Sequence, residues 1–128
     1  IRIKYQNSLL KNWYVFKLGD EETDATVGLK NTWIPAEFGR IHGCVTSAAA
    51  SPPIVANLTA DIQKNGTTIL STLGVIDVNE DTTNTGTPHI LSGGPVTFAA
   101  GDKISFLVDT FGGTGATGLH TDLLISWD

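Results

Sequence analysis

The sequence predicts an all-β protein, an antiparallel β-sandwich of jelly-roll type with about eight strands. Three observations carry that expectation. Several segments alternate apolar and polar residues with a period of two, and no long stretch keeps apolar residues at helical spacing. Gly, Pro, Asn and Asp interrupt the apolar runs at short intervals. No helical segment lies between strands, so the crossovers that a parallel sheet requires are missing. At 128 residues the chain fits one domain, large enough to bury roughly two thirds of its unfolded surface without staples. The division expected is an N-terminal strand or docking segment over 1–18 and a single sandwich domain over 19–128.

The elements follow in order. "WYVFKL", 13–18, is an apolar and aromatic strand that ends at Gly19-Asp20, and the acidic "GDEETD" after it is a solvated loop. "ATVGLKNTWIP" carries a short strand through Val27 and Leu29 to Pro35. "FGRIHGCVTS" is a strand whose glycines signal a bend or bulge. "AAASPP", 48–53, reads as a connector, because tandem prolines remove donors.

The clearest unit is "NLTADIQKNGTTILSTLGV". Leu58, Ala60 and Ile62 alternate with polar residues, and Asn65-Gly66 supplies the two positive-φ positions of a type I′ turn. A two-residue loop sets Lys64 opposite Thr67, Ile62 opposite Ile69, Ala60 opposite Ser71 and Leu58 opposite Leu73. That register turns Leu70 outward. "NEDTTNTGTPH", 79–89, is a polar loop whose composition predicts mobility. "PVTFAAGDKISFLVD" gives a strand through Val96 and Phe98, a turn at Gly101-Asp102, and a strand with Ile104, Phe106 and Val108 inward. "FGGTGATG", 111–118, is a loop, and "LHTDLLISWD" closes the chain with Leu119, Leu123, Ile125 and Trp127 on one face.

By the same alternation Leu107 and Leu124 face away from the core. With Leu70 they form the expected subunit or partner interface, an apolar patch on neighbouring late strands.

Other chemistry is scarce. Eight basic against thirteen acidic residues, a net charge of −5 and no Lys/Arg run argue against a nucleic-acid partner. No apolar run reaches the length of a membrane span, so membrane insertion is not expected and the chain reads as soluble. Cys44, the single cysteine, reads as a small buried hydrophobe. His42, His89 and His120 lack ligand spacing, and His89 and His120 are assigned ordinary surface roles. The acidic loops lack the calcium-loop pattern, and "FGGTGATG" lacks the lysine and helix of a phosphate cradle. No catalytic, cofactor or metal residue is assigned. Of Trp13, Trp33 and Trp127, Trp33 is the candidate for stacking on a sugar, although core packing explains all three.

The succession "IPAEFGRIHGCVTSAAASPPIVANLTADIQKNGTTIL", a Thr-rich loop, then "VTFAAGDKISFLVDTFGGTGATGLHTDLLI" resembles a recurring β-domain of tailed-bacteriophage virion proteins. There an "IP" lead-in, a "DI.KNGT.IL" hairpin, an "F..GD.I...VD" strand pair and a glycine-rich turn into a final "GL...L" strand occur in this order. The similarity covers roughly residues 19–126. The resemblance implies a non-enzymatic structural protein of the virion, a capsid-decoration or tail-fibre component. It further implies a homotrimer or other homo-oligomer, with other virion proteins and a host-surface glycan as partners. The alternative reading is a free carbohydrate-binding module using Trp33.

Overall fold

The computed structural model describes residues 13–21 and 23–127. Their regular elements are all strands: β1 (Trp13–Glu21), β2 (Gly28–Trp33), β3 (Gly39–Ile54), β4 (Leu58–Lys64), β5 (Thr67–Thr68), β6 (Leu70–Thr72), β7 (Gly74–Ile76), β8 (Ile90–Leu91), β9 (Val96–Phe98), β10 (Ile104–Thr110) and β11 (Thr114–Trp127). Every pairing is antiparallel. A four-stranded sheet runs β1-β11-β3-β9, a five-stranded sheet runs β2-β10-β4-β5 with β7 also on β4, and β6 pairs with β8.

Strand alternation decides what is buried. Ile104, Phe106 and Val108 of β10 and Leu58, Ala60 and Ile62 of β4 join Ile41 and Ala48 of β3 and Leu119, Leu123 and Ile125 of β11 in one core cluster. The two larger sheets therefore share a core, to which each large aliphatic side chain contributes about 1.5–3 kcal/mol. Trp13 to Leu18 pair with Ser126 to Thr121 of β11, so this stretch is an integral edge strand of the four-stranded sheet. The remainder of the expected 1–18 segment lies outside the described residues.

The "KNG" turn forms as expected, with φ of 51° at Asn65 and 85° at Gly66. Gln63 pairs with Thr68 and Lys64 with Thr67, and the Ile69 amide donates to the Ile62 carbonyl at 3.0 Å. The register then departs from the expected one. Ala60 pairs with Gly74 in place of Ser71, and Leu58 with Ile76 in place of Leu73. The intervening residues leave the ladder and form β6, in which Leu70 pairs with Leu91. Leu70 is 5% exposed and belongs to the core. Its outward placement assumed unbroken alternation, and the strand breaks just before it. This excursion also divides one expected strand into β5, β6 and β7, raising the number above eight.

Two expected loops are strand. "AAASPP" continues β3, pairing Ser51 with Thr117 and Pro53 with Gly115. Pro53 is tolerated because β3 borders no continuous strand on its other side there: the Pro53 carbonyl points away from β11 and accepts from the Asn79 amide at 3.0 Å. Most of the glycine-rich stretch opens β11. A Cβ at Gly115 would lie 2.5 Å from the Pro52 carbonyl oxygen, and one at Gly118 2.8 Å from the Ala50 amide nitrogen. Only glycine allows this approach at φ of 79° and 68°.

The segment 79–89 is tied down in place of moving freely. Ser47 bridges Thr82, the Ala48 amide donates to Asp81, the Thr83 amide donates to Thr46, and Val75 and Thr87 exchange two hydrogen bonds. It thereby links β3 in one sheet to β7 in the other.

Candidate functional site

The outward face of the four-stranded sheet carries a half-buried apolar groove. In β1, Tyr14, Phe16 and Leu18 turn to the core, which leaves Trp13, Val15 and Lys17 on the other side. Val15 pairs with Leu124, Leu124 with Gly43, and Asp122 with Val45. Val15, Gly43, Val45 and Leu124 line a groove of about 500 Å³ that continues to Pro88 and His89. At one end Trp13 stacks on His42, with ring centroids 3.9 Å apart and an interplanar angle of 17°. At the other, Asp122 pairs with Lys17 in the ladder and lies 3.7 Å from His120 Nε2. An apolar centre with a charged edge is suited to contact.

His42 Nε2 and Ser126 Oγ are 2.8 Å apart, within reach for a nucleophile and base. Ser126 is only 8% exposed and Trp13 covers the imidazole face, so the hydroxyl has no open approach. Burial pushes the Cys44 thiol up to about 12, which keeps it protonated and unreactive at neutral pH. Among the described residues no group of three His, Cys, Asp or Glu side chains could hold a metal ion.

The sequence-assigned interface residues do not come together. Leu124 is half-buried on the outer face just described. Leu107 is also half-buried and off the core, but β10 belongs to the other sheet, so it pairs with Leu29 on a different face. Leu70 is interior. Trp33 is half-buried, with Phe16 tilted against it at 4.5 Å and Phe98 and Trp127 in T-shaped contacts at 5.3 and 6.0 Å. It lines an apolar cleft of about 280 Å³ with Tyr14, Phe16, Ile34 and Trp127 and does not form a flat platform. Trp13, expected in the core, is on the outer face instead.

His89 was read as a surface residue and is half-buried between the sheets. The Gly74 amide donates to its Nδ1 at 2.8 Å, and its Nε2 lies 2.8 Å from Thr46 Oγ1. A backbone amide can only donate, so the neutral ring carries its proton on Nε2 and gives it to Thr46. The Thr46 hydroxyl then donates to Thr121 Oγ1 at 2.8 Å. Thr46 and Thr121 are fully buried. Burial pulls His89 down to about 4, against the opposing charge of Asp61. Alternation gave a weak signal of this network: Thr46 and Thr121 have core parity, but nothing local pairs them with a histidine so far along the chain.

Comparisons with protein families, curated proteins and solved structures find no match to this chain.

Proposed function

We propose that the chain is a non-enzymatic structural domain of a bacteriophage virion, assembled as a homo-oligomer through the outward face of its four-stranded sheet. The observation that carries this reading is the apolar strip Val15, Leu124, Gly43 and Val45 on a sheet face that a lone soluble domain normally presents as polar. The resemblance of its motifs to those of virion β-domains points the same way, and two of the motifs touch each other. Asn65 of "KNG" accepts from the Lys103 amide and donates to Asp102 of "GD", binding the two turns together.

The finer fold assignment is a jelly roll. Counting β5 and β7 as one interrupted strand and leaving β6 and β8 aside, the first, eighth, third and sixth strands make one sheet and the second, seventh, fourth and fifth the other. That order is what two nested Greek keys produce.

Light scattering on the purified chain and on Leu124→Asp tests the assembly. A stable oligomer that dissociates into folded monomers with the substitution supports the reading; a wild-type monomer overturns it. Mass spectrometry of purified phage particles encoding the chain tests the virion assignment, which fails if the chain is absent from them. Glycan binding by a monomer would favour a carbohydrate-binding module instead.

A further inference from the structure

The segment from Asp77 to His89 closes one side of the molecule. It lies along β3 through Asp81, Thr82 and Thr83, along β7 through Thr87, and ends with the His89 ring between the sheets. The ring seats on a glycine because nothing larger fits: a Cβ at Gly74 would lie 2.7 Å from it. Its two nitrogens have fixed and opposite tasks, Nδ1 accepting from β7 and Nε2 donating to β3.

We propose that this segment is an acid-released clasp: protonation of His89 turns the acceptor of the Gly74 amide into a donor, and the segment leaves β7 and β3 while the main sheets stay paired. Two donors would then face each other across a contact now 2.8 Å long. Thr46 cannot compensate, since its hydroxyl already accepts from Nε2 in the neutral state.

The titratable groups around the ring are few. Asp61 on β4 favours the cation, but its carboxylate is engaged by Gln63 and Thr68. Cys44 on β3 is a protonated thiol, and Asp122 on β11 lines the same groove as His89. None of them accepts a hydrogen bond from Nδ1, whose partner is the Gly74 amide. The proposal holds whether or not the outer sheet face is a subunit contact.

The experiment is hydrogen exchange on the full chain from pH 7 to pH 5, with rates corrected for intrinsic exchange. A ring free to titrate near 6.5 when released and near 4 when seated favours the released form by roughly 20-fold over that interval. The amides of Gly74, Val75, Thr83 and Thr87 should lose about that much protection while those in β4 and β10 lose much less. His89→Gln, which can accept from Gly74 without titrating, should abolish the difference. Equal loss in β4 and β10, no loss in the segment, or an unchanged profile in His89→Gln each overturns the clasp. Should the variant fail to fold, the contrast between segment and sheet in the wild-type chain decides alone.

Discussion

Replacing Asn65 by glycine and, separately, Gly66 by alanine divides what the β4–β5 turn contributes. Asn65 does two things. It adopts φ of 51°, and its side chain accepts from the Lys103 amide at 2.9 Å and donates to Asp102 Oδ1 at 3.0 Å. Asn65→Gly keeps the backbone relaxed and removes both side-chain bonds. Both are solvent-exposed, so the loss should fall toward the lower part of the usual range, about 1–2 kcal/mol together. Gly66→Ala keeps the bonds and places a Cβ in open space at φ of 85°, a cost of about 1–2 kcal/mol from backbone conformation alone. Asn65→Ala loses both bonds and also puts a Cβ without a local partner at positive φ, and should cost about 2–4 kcal/mol. Urea unfolding at pH 7, with unchanged slopes, measures all three. If Asn65→Gly matches the wild type within about 0.5 kcal/mol, the turn-to-turn clamp contributes nothing and its mechanical role is wrong.

Other expectations can be checked on the same material. Leu70→Asp should prevent folding or cost about 4 kcal/mol or more, whereas Leu124→Asp should still unfold cooperatively, losing only the stability that the proposed assembly adds; loss of folding in both would contradict their assignment to core and surface. Thr46→Val strands the His89 Nε2 proton in a buried site and should cost about 2–3 kcal/mol by urea unfolding, while Thr46→Ser, which keeps the hydroxyl, should cost less than about 1.5 kcal/mol. The Ala99 amide, then Asn65, hold the Asp102 carboxyl below its ordinary 3.8, outweighing the opposing effect of burial. Its stabilisation is thus present above 3.8 and fades as pH falls through the lower folded value. The deficit of Asp102→Ala at pH 7 should shrink near pH 3, and a deficit independent of pH would refute that coupling.

The all-β class, the antiparallel pairing and most core positions were legible because alternation is local: Ile104, Phe106 and Val108 declare their face without reference to anything else. Asn65-Gly66 was legible for the same reason, since two positive φ values demand those residue types. Failures came where a neighbour distant in sequence decides. Nothing between Ile69 and Gly74 announces that the strand will leave β4 to pair with Ile90 and Leu91, so Leu70 received the wrong face. Tandem prolines usually end a strand, yet Pro53 sits in β3 because its carbonyl side meets Asn79. His89 carries no local mark of burial; its surroundings come from β3, β7 and β11. The patch of three leucines failed on topology, since β10 and β11 follow one another in sequence and belong to different sheets.

That last point bears on how such a domain can assemble. When consecutive strands alternate between sheets, outward residues close in sequence are distributed over different faces, and a continuous apolar strip on one face must be collected from distant segments. Val15, Gly43, Val45 and Leu124 meet only because β1, β3 and β11 are adjacent in the four-stranded sheet. The geometry of the strip therefore depends on β11, whose pairing with β3 is its longest and passes over Gly115 and Gly118. A side chain at either glycine would push β11 off β3 and shift Leu124 relative to Val45. If the chain assembles through the strip as proposed, Gly118→Ala, remote from it, should weaken that assembly as well as stability, whereas a surface contact made by independent loops would be insensitive to it. Light scattering on Gly118→Ala below its melting temperature distinguishes the two, and unaltered assembly would show that the strip does not depend on the β3–β11 register.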